Sequence, residues 1–157
     1  MSDDPPKKDD STPTPVETTP PPSPSKPRPA TAPHFIDAAP TGEVPTLVQA
    51  QLAQTPPGSH LIVYVGATWC EPCRRFHEAV QSGVLDSDLQ GFTFLAFDMD
   101  RDRDRLHSAG YSSHFIPLFV IPGSDGRGGA GKQMEGSITG PGAPHEITPR
   151  LLALVAK

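Results

Sequence analysis

Three stretches of the chain are almost continuously apolar and rich in β-branched or aromatic residues. Such short runs predict strands that are covered on both faces of a sheet. These strands are residues 61–67, 91–98 and 117–121, with weaker strands at 34–38 and 132–138. The segments around them indicate helices, and Cys73, Phe76 and Val80 show the three- and four-residue spacing of a helix face. The predicted helices are residues 45–54, 71–81, 101–109 and 147–156. The order β-α-β-α-β-α-β-β-α predicts an α/β fold of three α/β/α layers with a mixed central sheet.

The first 34 residues lack this pattern. Eleven of the 21 prolines fall there, Val16 is the only branched aliphatic residue, and no aromatic residue is present. Such a segment buries too little apolar surface to offset the entropy of ordering, about 1–2 kcal/mol per residue. The sequence therefore predicts a disordered Pro/Ser/Thr-rich tail or tether over residues 1–34 and one domain over residues 35–157.

Charge and hydropathy narrow the possible partners and locations. The net charge of −5 offers no broad basic surface, so no nucleic-acid partner is expected. No apolar run reaches the ~18–20 residues of a membrane span, so no transmembrane helix is expected. The protein is expected to be a monomer. The N-terminus has no apolar leader, which predicts a cytoplasmic protein. A Pro-rich spacer also separates membrane anchors from folded domains, and a bacterial extracytoplasmic or lipid-tethered location is the alternative if a leader has been removed.

The only two cysteines, Cys70 and Cys73, concentrate the chemistry. A bridge over two residues stabilises a fold little, so this spacing indicates redox or metal chemistry. Cys70 is expected just before a helix N-terminus, where the macrodipole and free N–H groups stabilise a thiolate. Cys73 lies one turn later, within reach of a mixed disulfide on Cys70. The spacing therefore predicts one exposed, activated sulfur and one sheltered sulfur, with Pro72 in the first helical turn and Trp69 as a flat surface beside them.

The letters WCEPC at positions 69–73, after an apolar strand and before an amphipathic helix, together with Ile116-Pro117 further along, resemble the thioredoxin-like family. The resemblance covers residues 35–157 and implies a thioredoxin-like fold and a thiol–disulfide oxidoreductase without a cofactor. It implies that Cys70 attacks and Cys73 resolves. It also implies a cis Ile116–Pro117 bond that faces the cysteines and aligns a substrate strand beside Trp69. The implied partners are proteins with cysteines or disulfides and an upstream reductase.

Three departures from the family pattern bear on reactivity. Tyr64 and Ala96 stand where thioredoxins usually keep a buried acid and a lysine. Glu71 stands between the cysteines in place of glycine, and a carboxylate beside a thiolate disfavours it. The hypothesis is a less acidic nucleophile, not ionised below about pH 5, and a reducing or neutral potential. His77, four residues after Cys73, is either an ordinary helix histidine or a proton relay that replaces the missing acid.

Other interpretations stay open. The cysteines could bind a metal with two histidines in a Cys₂His₂ set, although the histidine pair lacks the close spacing of a zinc module. The candidate histidines are His77, His107, His114 and His145. The domain could be a non-catalytic thioredoxin-like binding module, or it could deliver electrons to one client in an oxidising compartment. Residues 126–133 approach a phosphate-loop motif without its Ser or Thr, and residues 98–105 approach a calcium loop without its glycine. The first is interpreted as a flexible turn and the second as a solvated, mutually paired charge run.

Overall fold

The computed structural model describes residues 31–129 and 131–156. Within these residues, five strands and four helices follow one another in the order that the sequence predicts. The strands are β1 (His34–Asp37), β2 (His60–Gly66), β3 (Phe92–Asp98), β4 (Leu118–Val120) and β5 (Gln133–Glu135). The helices are α1 (Val44–Gln54), α2 (Glu71–Ser82), α3 (Met99–Ser108) and α4 (Ala143–Val155).

The strands form one sheet in the order β1-β3-β2-β4-β5. The first three are parallel, whereas β4 runs antiparallel to β2 and β5 runs antiparallel to β4. The mixed sheet is confirmed. Because β4 is antiparallel to β2, the end of β2 lies beside the start of β4, with Val65 opposite Leu118. This register brings the segment after β2, which leads to Cys70, next to the segment before β4, which contains Ile116 and Pro117.

Alternating side chains of the sheet divide the core into two clusters. The cluster on the α2 and α4 face is dominated by aromatic rings, among them Phe76, Phe94 and Phe119, all fully buried. The cluster on the α1 and α3 face is mostly aliphatic, with Val48 and Leu106 packed on the sheet. Full burial of each such side chain contributes about 1.5–3 kcal/mol. Helices therefore cover both faces, as the sequence predicts.

The described chain makes contacts before β1 begins. The Gly91 N–H donates a hydrogen bond of 2.7 Å to the carbonyl of Thr31, and Ala32 is buried. Residues 31–34, which the sequence assigns to the tail, thus contact the domain. Residues 1–30 of the predicted tail lie outside the described residues.

Helix α4 begins earlier than predicted. The sequence places its start at residue 147 because Thr148-Pro149 resembles a helix beginning, but the helix starts at Ala143 and contains Pro149 in its interior. Pro144 occupies the first turn instead, and the buried Ala143 packs on the core with Ile147. The lost hydrogen bond at Pro149 is outweighed by this burial.

The charge run of α3 contains a buried carboxylate, and the prediction of a solvated run is wrong for it. Asp102 is 1% exposed and accepts hydrogen bonds from Arg101, from Arg105 and from the Asp98 N–H. Burial by itself raises the pKa of Asp102, but these hydrogen bonds outweigh it and hold that pKa below its usual value. Arg105 also donates to the carbonyls of Ala39 and Gly42. Asp102 therefore joins the start of α3 to the segment after β1.

Candidate redox site

Cys70 and Cys73 form a disulfide across the first turn of α2. Cys70 is the N-cap residue, with an extended backbone, and its Cα lies 5.3 Å from the Cα of Cys73. The backbone N–H of Cys73 donates to Cys70 Sγ at 3.3 Å. The Cys70 sulfur therefore takes the place of an N-cap oxygen, at the positive end of the helix dipole.

Both sulfur-bearing residues are buried, which corrects one expectation. The motif predicts an exposed Cys70 sulfur, but Cys70 is only 5% exposed and Cys73 only 3%. The reason is that, in the disulfide, Cys73 covers one side of Cys70, while Ile116 approaches from another, with its carbonyl oxygen 3.8 Å from Cys70 Sγ. The preceding residue, Trp69, is 64% exposed.

The segment before β4 lies against the disulfide. Its Ile116–Pro117 peptide bond is cis, Pro117 is buried and Ile116 is half-buried. The Pro117 carbonyl accepts the N–H of Gly136 at 2.9 Å, which connects this segment to the end of β5. The Ile116 backbone is thereby held next to Cys70.

Trp69 is fixed by a residue that the sequence analysis did not single out. The Trp69 Nε1–H donates to Oδ2 of Asp100 at 2.8 Å, and Asp100 lies in the first turn of α3. Asp98 caps that helix by accepting the N–H groups of Asp100 and Arg101. The contact joins residues 31 positions apart, so no local pattern signals it. The exposed indole is thus oriented beside Cys70.

Glu71 is directed toward the loop before α4. Its Oε1 accepts the N–H of Gly140 at 2.6 Å and lies 3.7 Å from Nε of Arg75. Pro72 is buried in the first turn of α2, where a missing N–H leaves no hydrogen bond unmade. The charge of the Glu71 carboxylate is therefore partly compensated by these two donors.

His77 lies on the Cys73 side of α2, over the aromatic core. Its ring stacks on Phe35 with centroids 3.6 Å apart and meets Tyr64 edge-on at 5.9 Å. Burial lowers the pKa of His77, and Asp37 opposes this shift. His77 and Cys73 both line a cavity of about 410 Å³ with Asp37 and Tyr64. The His77 imidazole and the second sulfur thus line the same cavity.

Tyr64 occupies the floor of this cavity. Burial raises the pKa of its hydroxyl, so Tyr64 stays protonated at physiological pH. Gly66 makes room for it, because a Cβ at that position would lie 2.5 Å from the hydroxyl oxygen. Ala96 lies directly opposite Tyr64 on β3. This part of the site is therefore a neutral pair in place of two charged groups.

The described residues 31–129 and 131–156 contain no group of three or more His, Cys, Asp or Glu side chains that could hold a metal ion. The histidines considered with the cysteine pair are dispersed: His77 lies beside Cys73, His107 and His114 line a different cavity, and His145 is exposed on α4. In the same described part, none of the helices has the length and apolar character needed to cross a membrane.

The chain is similar in structure to a solved thioredoxin. That thioredoxin comes from Trichomonas vaginalis, with 15% identity to this chain and a TM-score of 0.46; the match covers 81% of this chain and 98% of the thioredoxin. No protein-family model matches the sequence, and no curated protein matches it significantly.

The fold of the described residues is thioredoxin-like. Its strand order, the cysteine pair at the start of α2 and the Ile116–Pro117 segment beside Cys70 agree with the resemblance seen in the sequence. The described residues thus form a thioredoxin-like domain with a cysteine pair at the start of α2.

Proposed function

We propose that this protein is a thiol–disulfide oxidoreductase that exchanges its Cys70–Cys73 pair with cysteines of client proteins and acts as a reductant. The position of Cys70 Sγ carries the proposal, because this atom caps α2, accepts the Cys73 N–H and lies beside the Ile116 carbonyl. In the reduced protein, the helix N-terminus and this N–H stabilise the thiolate form of Cys70.

The reaction proceeds by two exchanges. The Cys70 thiolate attacks one sulfur of a client disulfide, breaks that bond, forms a mixed disulfide and releases the first client thiolate. The Cys73 thiolate then attacks the Cys70 sulfur, forms the Cys70–Cys73 disulfide and releases the second client thiolate. Two electrons pass to the client, the released thiolates take up protons, and an external dithiol reductant restores the pair.

Trp69, Ile116 and Pro117 provide the client surface in this proposal. The exposed indole of Trp69 offers an apolar face next to Cys70. The Ile116 backbone, held by Pro117, lies where an extended client segment could pair with it by main-chain hydrogen bonds. Glu71, Pro72 and His77 modulate the two sulfurs.

The test is turnover with a defined reductant. Dithiothreitol supplies electrons, and insulin or hydroxyethyl disulfide accepts them. We expect the full chain to accelerate both reactions above the rate with dithiothreitol alone, and we expect a potential nearer about −270 mV than −120 mV. No acceleration by a folded protein whose Cys70 and Cys73 are unmodified would instead support a non-catalytic binding module.

Replacing Glu71 with Gln should make Cys70 more reactive. The change removes a negative charge next to the thiolate and keeps an oxygen that can accept the Gly140 N–H. We expect Cys70 to react about twofold to fourfold faster with iodoacetamide at pH 7 and the potential to become less reducing. Glu78→Gln, an exposed position on the same helix, is the control and should change neither value. An unchanged Glu71→Gln rate would contradict the assigned role.

Replacing His77 with Gln should slow the second exchange. His77 lies one turn after Cys73 and shares its cavity, so its neutral ring can take the Cys73 proton. Because burial lowers the pKa of His77, the accepting form persists below the pH at which a free histidine is protonated. We expect the rate of client release to be about tenfold lower in the variant. In the wild type this rate should fall at low pH as His77 is protonated, and in the variant this fall should be absent.

The pH profile separates a proton carrier from a merely structural histidine. The charged groups that line the cavity with His77 are Asp37, Arg74, Asp98 and Arg101. Because these charges act on His77, the decrease in rate at low pH should depend on salt concentration. His145→Gln, at an exposed position of α4, is the control. Equal profiles for wild type and His77→Gln from pH 5.5 to 8 would remove the role.

A further inference from the structure

A second cavity, of about 390 Å³, begins at Trp69 and Ile116 and continues between α3 and the segment before β4. We call it the α3 groove. Apolar side chains such as Leu106 form its floor, and Arg103, His107 and His114 lie on its rim. All three rim residues are exposed. The groove therefore has an apolar base and a rim that carries one guanidinium and two imidazoles.

No carboxylate is among the residues that line the α3 groove. Within the described part of the chain, Arg103 makes no ion pair. Two acids on neighbouring elements accept hydrogen bonds from residues of the groove: Asp100 accepts the Trp69 indole N–H, and Glu135 accepts the backbone N–H of His114. Asp104 follows Arg103 on α3 without lining the groove. The guanidinium of Arg103 gives the rim a positive charge that is complementary to an anionic ligand.

The location of the groove's entrance determines which client residues can reach the groove. Trp69 precedes Cys70 directly, and the Ile116 carbonyl lies 3.8 Å from Cys70 Sγ, so the groove opens next to the reactive sulfur. A client cysteine bonded to Cys70 must place its flanking residues at this entrance. An extended segment advances about 3.3 Å per residue, so a side chain a few residues away reaches the rim.

We propose that the α3 groove selects client proteins that carry an aspartate or glutamate a few residues from the reactive cysteine, with Arg103 as the residue that recognises the carboxylate. The inference rests on the proposed function and names its substrate class. The apolar floor contacts the neighbouring client side chains, and the rim imidazoles can donate further hydrogen bonds to the carboxylate.

The test uses disulfide peptides as substrates for the full chain, with dithiothreitol as reductant. Each peptide in the series carries one Glu at a position from three before to three after its cysteine, and a partner peptide carries Gln there. We expect kcat/KM to be about threefold to fivefold higher for Glu at the positions that reach the rim, with the difference fading in 0.5 M salt. Arg103→Glu should reverse this Glu-to-Gln ratio, and Arg103→Lys should retain part of it.

Arg127→Glu is the charge-matched control, because Arg127 is also exposed but lies away from the groove. It should leave the ratio as in wild type. Equal rates for Glu and Gln peptides, with hydroxyethyl disulfide still reduced, would overturn the inference and leave the proposed function standing. Failure to reduce any of these disulfides would overturn both. Dimers that Arg103→Glu dissociates would assign the groove to a second copy and also overturn the inference.

Discussion

Cys73→Ser is expected to accumulate a covalent complex between Cys70 and its clients. Without the second thiol, the mixed disulfide on Cys70 has no intramolecular attacker and persists until an external thiol cleaves it. Cys70→Ser should form no complex through residue 70, and its rate of disulfide reduction should fall by roughly three orders of magnitude or more. Non-reducing electrophoresis with mass spectrometry of the linked peptides measures the trapping, and insulin reduction with dithiothreitol measures the loss of rate.

The pair of variants controls for folding. Both lose the Cys70–Cys73 disulfide, which closes a loop of only two intervening residues and therefore contributes little stability. Both should unfold at similar urea concentrations, so a difference in trapping reports chemistry. Equal trapping by the two variants would contradict the assigned roles, and trapping by Cys70→Ser alone, through Cys73, would reverse them.

Asp102→Asn is expected to produce the largest loss of stability among the substitutions considered, about 2–3 kcal/mol in the free energy of unfolding. The buried carboxylate accepts from Arg101 and Arg105 and from the N–H of Asp98, and a neutral amide cannot match these charged hydrogen bonds. The loss stays moderate because the side chains of Arg101 and Arg105 are 47% and 19% exposed and can turn to water. Urea unfolding at pH 7 measures it, with the exposed Asp104→Asn as a control within about 0.5 kcal/mol of wild type.

The same substitution has a defined pH dependence. The pKa of Asp102 is lowered in the folded protein, so its contribution is complete above the usual carboxyl value of about 4 and is lost as the pH falls through the folded-state value. The difference between wild type and Asp102→Asn should therefore be constant near neutrality and shrink in acid. A difference that grows below pH 4 would contradict the assigned charge state.

Much of the fold could be predicted because its signals are local. The buried run in β2 and the Gly, Pro and cysteine positions around α2 determine strand, turn and helix without reference to distant residues. The start of α4 could not be predicted this way, since burial of Ala143 and Pro144 decides it and the local Thr148-Pro149 signal favours a later start. Tertiary packing overrode a local helix signal.

The candidate site also combines features that follow from the local sequence with features that depend on tertiary contacts. The positions of Cys70 and Cys73 at the start of a helix follow from the sequence, whereas the burial of Cys70 depends on its bond to Cys73 and on the approach of Ile116. The contact of Trp69 with Asp100 and the burial of Asp102 arise where α3 meets other segments. In the sequence, these acids belong to a run of alternating charge that favours solvent exposure.

Competitive alkylation of the fully reduced chain tests the central claim most directly. A short exposure to iodoacetamide at pH 7, followed by digestion and tandem mass spectrometry, gives the labelling rate of each sulfur, because fragment ions distinguish Cys70 from Cys73 within the one tryptic peptide that contains both. If the sulfur that caps α2 is the activated one, Cys70 should be labelled at least about tenfold faster than Cys73. Labelling of Cys73 first, or of both at the same rate, would contradict the account.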